Sequence, residues 1–229
     1  MKNLCFLIVT VFLFGSCRTM EFSSLNYSST LDKKLPPLEP DFNLDSFGPD
    51  YIDLYDIPNI IISGRPNVEH VVRDITIEHT IALDTRKIFE REVIHNITLR
   101  TGKTKGYAVC SKGSRSKGIK SYFNPIASVL TLGVANLFGM TAAVHTDELE
   151  IIVDIFNIEN EIVASYAGLG KGEAKVKMYT GYNVRDAKRM AHARAFVNAL
   201  EVVKFQIQED HQKVSDLLML EFPVITEEN

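Results

Sequence analysis

Residues 148–167 read ELEIIVDIFNIENEIVASYA, and this stretch decides the fold. Leu149, Ile151, Val153 and Ile155 occupy alternate positions, the period of a strand with one face turned to a core. Asn157-Ile158-Glu159-Asn160 is a turn sequence, and a second strand starts at Ile162. The spacing therefore predicts a β-hairpin with a loop of four or five residues. Gly168, Gly170 and Gly172 predict a bulge or bend, after which Ala174, Val176 and Met178 continue the strand. Asn183 is placed to cap a long helix over 184–210, with Asp186 in its first turn near the positive end of the helix dipole. Ala187, Met190, Ala193, Phe196, Leu200, Val203 and Ile207 follow helical spacing. The alanines at 187, 191, 193, 195 and 199 let this helix lie close on a sheet, and His192 reads as a surface or rim residue. Leu217 to Ile225 adds a last short helix or strand.

Upstream, Ile60-Ile61-Ile62 reads as a first short strand. Ile75, Ile77, Ile81 and Leu83 alternate, as do Val93, His95, Ile97 and Leu99, so two more strands are expected here. His79 and His95 fall on their apolar sides. No carboxylate or cysteine joins them at a ligand spacing, so no metal site and no cofactor are expected. Cys110 lies in Gly106-Tyr107-Ala108-Val109-Cys110, a short strand, and reads as a buried, inert thiol.

Residues 100–120, RTGKTKGYAVCSKGSRSKGIK, hold seven cations and no acid. The glycines make the run loop-like around the 106–110 strand. Neither Gly102 to Gly106 nor Gly113 to Gly118 continues into Lys-Ser or Lys-Thr, so a phosphate loop of the Walker kind is excluded. Lys103, Lys105, Lys112, Arg115, Lys117 and Lys120 are the candidate contacts to an anionic surface, set against a purely solvated basic loop. From Ser121 to Thr146 there is no Asp, Glu, Lys or Arg. This run reads as a buried connection laid across the sheet. A membrane-inserting hairpin and a partner- or lipid-facing surface are the alternatives.

The first 17 residues, MKNLCFLIVTVFLFGSC, place one lysine before a short apolar run, then two small residues and a cysteine. The apolar run is about 11 residues, short of the roughly 20 that span a bilayer as a helix. That is the layout of an export signal. Phe14-Gly15-Ser16-Cys17 resembles the lipobox of bacterial lipoproteins, with Phe14 where Leu is usual. The resemblance implies cleavage before Cys17 and lipid attachment at Cys17. Arg18 follows the cysteine in place of the Asp that retains lipoproteins in the inner membrane, so the resemblance implies the outer membrane; a periplasm-facing domain is the expectation. Residues 18–48, rich in Ser at first and then containing Pro36, Pro37 and Pro40, read as an extended tether.

Composition agrees with a globular body: 45% of residues are hydrophobic and 24% charged. The net charge of −4 excludes a generic nucleic-acid binder. Of three cysteines, Cys5 leaves with the signal and Cys17 takes lipid, so no disulfide staples the fold. No Gly-x-Ser-x-Gly, His-Glu-x-x-His or metal-spaced cysteine set occurs, so no enzyme is expected.

The expected layout is a signal peptide over 1–16, a lipidated tether over 17–48 and one domain over 49–229. Its class is α+β, a mainly antiparallel sheet with the long C-terminal helix packed on one face. Residues 148–207 resemble the small α/β domains of envelope lipoproteins, namely the curli-secretion channel family and penicillin-binding-protein activators. The expected function is a lipid-anchored, non-catalytic binding or scaffold component of the cell envelope, with an envelope protein as partner. The alternatives are a subunit of a membrane-inserted assembly or secretion complex that uses 121–146, and an envelope enzyme whose site is dispersed in sequence.

Overall fold

A computed structural model describes residues 25, 29–47, 68–123, 141–177 and 182–220. In chain order these form β1 (Glu39–Phe42), α1 (Leu44–Phe47), α2 (Val68–Glu92) with a π-helical turn (Val93–Ile97), β2 (Gly106–Lys112), β3 (Lys120–Phe123), β4 (Thr141–Asn157), β5 (Ile162–Lys177), α3 (Val184–Glu209) and α4 (His211–Met219). The class is α+β, and the sheet has five strands. It is mixed: β1 runs parallel to β2, whereas β2, β3 and β5 each run antiparallel to β4.

The hairpin of β4 and β5 organises this sheet. β5 covers one edge of β4 along nearly its whole length, from Thr141↔Lys177 to Phe156↔Ile162. β2 and β3 share the other edge, β2 against residues 151–157 and β3 against 143–146. Leu149, Ile151, Val153 and Ile155 are buried, as their alternation predicts. Asn160 closes the turn with φ of 65°, a left-handed conformation that Asn tolerates better than most residues. α3 lies across this face. The side chain of Asn183 accepts from the Asp186 amide at 2.8 Å, satisfying one orphan donor of the first turn.

The glycines of β5 are not a bulge. The strand is continuous through them, and its register shifts lie at Thr141/Ala143 and Ile155/Phe156 instead. A Cβ on Gly168, Gly170 or Gly172 would overlap the backbone carbonyl oxygen of Ala199, Ala195 or Ala191 respectively. Three glycines two apart on the strand thus meet three alanines four apart on the helix. Both spacings keep residues on one face. The helix backbone rests directly on the strand backbone, which only the absence of side chains permits.

Two of the expected strands are helical. Residues 74–83 lie inside α2, and 93–97 form the π turn. Positions i and i+4 share a face in both a strand and a helix. Over ten residues the two periods are hard to separate. Across a longer window the buried set Ile81, Thr85, Ile88, Phe89 and Val93 has helical spacing. His79 and His95, expected on apolar faces, are both exposed.

The second half of the expected tether belongs to the body. Leu31, Leu35, Leu38, Phe42 and Phe47 are buried in the core, as is Leu25. β1 pairs with β2 from Glu39↔Tyr107 to Phe42↔Cys110. Pro40 sits on this short outer strand, where a missing N–H is tolerated. The expected strand at 60–62 and the apolar residues 124–140 lie outside the described residues.

Candidate functional site

The basic run of residues 100–120 is contiguous only in sequence. β2 divides it. Arg100, Lys103 and Lys105 precede Gly106, which pairs with Asn157 beside the hairpin turn; Lys112, Arg115, Lys117 and Lys120 follow, beside residues 146–151 of β4. Seven residues of strand separate the two groups by about 20 Å.

The second group is partly engaged. The loop joining β2 to β3 folds over β4 where neither strand reaches. Gly113 N–H donates to Glu150 O at 2.8 Å, and Lys117 N–H donates to Glu148 O at 2.8 Å. Ser116 Oγ accepts from Glu150 N–H at 3.0 Å. The Glu150 carboxylate, 4% exposed, accepts from Arg115 N–H at 2.9 Å and from its guanidinium Nε at 2.7 Å. These hydrogen bonds hold the Glu150 carboxyl below its usual range. Lys117 Nζ, 3.1 Å from Glu148 Oε1, does the same for Glu148. Arg115 is therefore a structural clamp.

Beside this loop lies a cleft of about 360 Å³, lined among others by Lys117, Lys120, Tyr122, Thr146, Glu148 and Lys171. Lys171 comes from β5, which sequence order alone does not connect with the basic run. Its Nζ stands 3.7 Å from Glu148 Oε2. Glu173, also on the rim, pairs with Lys175 at 3.4 Å. Lys120 has no carboxylate partner among the described residues. Three ammonium groups thus line an open cleft with the carboxylates of Glu148 and Glu173, and with Asp147 behind them.

Behind the cleft, between sheet and α3, is a buried polar layer. His192, expected at the surface, is 8% exposed and Asp147 4%. Their Nδ1 and Oδ2 atoms are 2.6 Å apart, so the imidazole N–H donates to the carboxylate. His145 is fully buried, its Nδ1 2.7 Å from Ser121 Oγ. Burial and the charge of Lys188 push the His145 pKa down, favouring the neutral ring. Among the described residues, the buried atoms His145 Nε2, Asp147 Oδ1 and His192 Nε2 have no hydrogen-bond partner. One level along α3, Arg189 Nε bonds Asp84 Oδ2 at 2.7 Å and ties α3 to α2. Burial nevertheless holds the Asp84 carboxyl above its usual range.

A Ser-His-Asp relay needs one imidazole that bonds both the hydroxyl and the carboxylate. Here Ser121 and Asp147 engage different histidines. Among the described residues no three His, Cys, Asp or Glu side chains are grouped to hold a metal ion. Cys110 is fully buried in β2, and burial with the nearby Asp154 raises its pKa well above the usual thiol value. At the opposite end of α3, Lys204 is 1% exposed and donates to Glu92 Oε2 at 2.8 Å, Glu201 Oε1 at 2.9 Å and Ser29 O at 2.9 Å. No helix of the described residues is long and apolar enough to cross a membrane. No protein-family model matches the sequence, and no curated protein matches it.

Proposed function

We propose that the chain is a lipid-anchored lipoprotein of the bacterial cell envelope, held through Cys17 to the outer membrane and facing the periplasm. In this reading the α+β body is a non-catalytic binding or scaffold component that engages an envelope protein. The observation that carries it is the lipobox-like Phe14-Gly15-Ser16-Cys17 so close ahead of a docked segment. Leu25 is buried in the core, and Ser29 bonds Glu201 and Lys204 of α3. Eight residue steps join Cys17 to Leu25, a reach of about 28 Å when fully extended. The body then sits within roughly its own diameter of the bilayer, not far out on a long tether. Metabolic labelling with palmitate tests this. The label enters the wild-type chain and not Cys17→Ala, and the mature amino terminus is residue 17. An unlabelled chain, or another mature terminus, overturns it.

One observation favours a second reading, a subunit of a membrane-inserted assembly. Phe123 pairs with Ala143, so the chain between them leaves and rejoins neighbouring strands. The stretch between the two strands, residues 124–140, contains no Asp, Glu, Lys or Arg. A Cys17→Ala chain that stays in membranes after a detergent-free alkaline wash supports insertion, and one that washes off retires it.

A further inference from the structure

We propose that the cleft between β3 and the β4–β5 ladder is a binding site for a phosphate-bearing ligand, held by the ammonium groups of Lys117, Lys120 and Lys171. The inference rests on the domain being a binding module, but not on its being acylated. Charge comes first. Lys117 and Lys171 face each other across the single Glu148 carboxylate. Glu173 pairs with Lys175 at 3.4 Å. The carboxylate of Asp147 is directed to His192 and away from solvent. Lys120 is unpaired among the described residues. With Lys175, four ammonium groups stand at the cleft against the carboxylates of Glu148, Glu173 and the buried Asp147, an excess of one positive charge. Lysine ammoniums are compact, strongly hydrated charges with rotatable donors. Such ammoniums bind phosphate as point charges, donating to its oxygens from several directions.

Size comes second. About 360 Å³ falls within the range of small-molecule sites and far exceeds a lone ion. The ligand is therefore a phosphate ester carrying further atoms. Tyr122, 60% exposed at the rim, offers a ring face for them, and Thr146 a hydroxyl. The cleft is also built. Its loop wall is fixed by the Gly113, Arg115, Ser116 and Lys117 hydrogen bonds to β4. Its floor runs along the paired residues Thr146↔Glu173 and Asp147↔Gly172.

The test is calorimetric titration of the whole processed chain, in neutral detergent, with glycerol 3-phosphate. Vesicles of phosphatidylglycerol and of phosphatidylcholine form the second arm. Lys120→Gln and Lys171→Gln are the variants, because Lys117 also serves the fold. Each substitution should weaken binding about fivefold, the size of one partly exposed ion pair. Lys112→Gln, at the end of β2 and outside the cleft, should leave it unchanged. Saturable binding of glycerol 3-phosphate supports a soluble ligand. Binding confined to phosphatidylglycerol vesicles and sensitive to Lys120→Gln supports a lipid headgroup. The inference is overturned if neither probe binds, or if Lys112→Gln weakens binding as much as Lys120→Gln. Thermal unfolding of each variant separates loss of the site from loss of the fold. The mass of the mature amino terminus decides the anchoring question independently.

Discussion

Replacing Gly170 by alanine should destabilise the protein severely. In an ordinary strand this change is neutral or favourable, because glycine loses more chain entropy on folding, by about 0.5–1 kcal/mol. Here the new Cβ would overlap the Ala195 carbonyl oxygen and the Ala199 amide nitrogen and stand 3.0 Å from Ala199 Cα. All three obstacles are backbone atoms, so no rotamer change relieves them. α3 must retreat from β5 by about 1 Å. A gap of that size forfeits a quarter to a half of each dispersion contact along the interface. Ala187, Ala191, Ala195, Phe196, Ala199 and Val203 are all fully buried there. Overpacking that a core can partly absorb costs about 1–3 kcal/mol. With rigid obstacles we expect the upper end, about 3 kcal/mol, from a total stability of roughly 5–15. Urea unfolding should show the midpoint fall with little change in slope. The melting temperature should drop by about 6–12 °C. Ala195→Gly should not rescue the variant, because the obstacle is a carbonyl and not a methyl group. A neutral or stabilising Gly170→Ala, or full rescue by Ala195→Gly, would refute the reasoning.

Other consequences concern charge and the sheet edge. Lys204→Met takes the ammonium from the buried Glu92 carboxylate, which keeps Arg91 and Asn96, and should cost about 1–3 kcal/mol. Lys204→Met with Glu92→Leu should cost less than the single change, and a larger loss for the pair would contradict this. Glu148 and Glu150, both held below the ordinary carboxyl value of 4.5, contribute stability above that pH and lose it as the pH falls through their lowered values. The melting temperature should therefore decline below about pH 4.5, and Glu150→Gln should flatten the decline. Asp84, displaced the other way, offsets part of it; an acid limb that Glu150→Gln does not alter would count against this assignment. Finally, Asn198 and Gln206 donate to the carbonyls of Lys171 and Ala167 at 2.7 and 3.0 Å, as Arg194 does to Glu173, along an edge of β5 that carries no strand among the described residues. Uncovering it with Arg194→Ala and Asn198→Ala should promote edge-to-edge association. A strictly monomeric double variant in analytical ultracentrifugation would argue against that role.

The site was less legible than the fold. Lys117 and Lys120 stand out in a charge-dense run, but Lys171 lies in a strand that pairs back from the far side of a turn. His192 has the spacing of a surface residue on its own helix. Only Asp147, brought opposite it from β4, makes it a buried, hydrogen-bonded group. Composition does signal that something polar interrupts the apolar alternation at His145 and Asp147, both on the buried face, but not what they meet.

From the order of residues alone came whatever depends on neighbours within a few positions. The β4–β5 turn, the alternation of residues 149–155, the Asn183 cap and the length of α3 are of this kind. Tertiary structure decided what depends on partners far along the chain. It made α2 a helix, because residues i and i+4 share a face in either geometry and only packing separates the two. It drew residues 29–47 into the core, because buried leucines and the bonds of Lys204 outweigh the extended bias of three prolines. It also turned the glycines of β5 into a seat for α3, since what a missing Cβ accommodates is set by the backbone that approaches it.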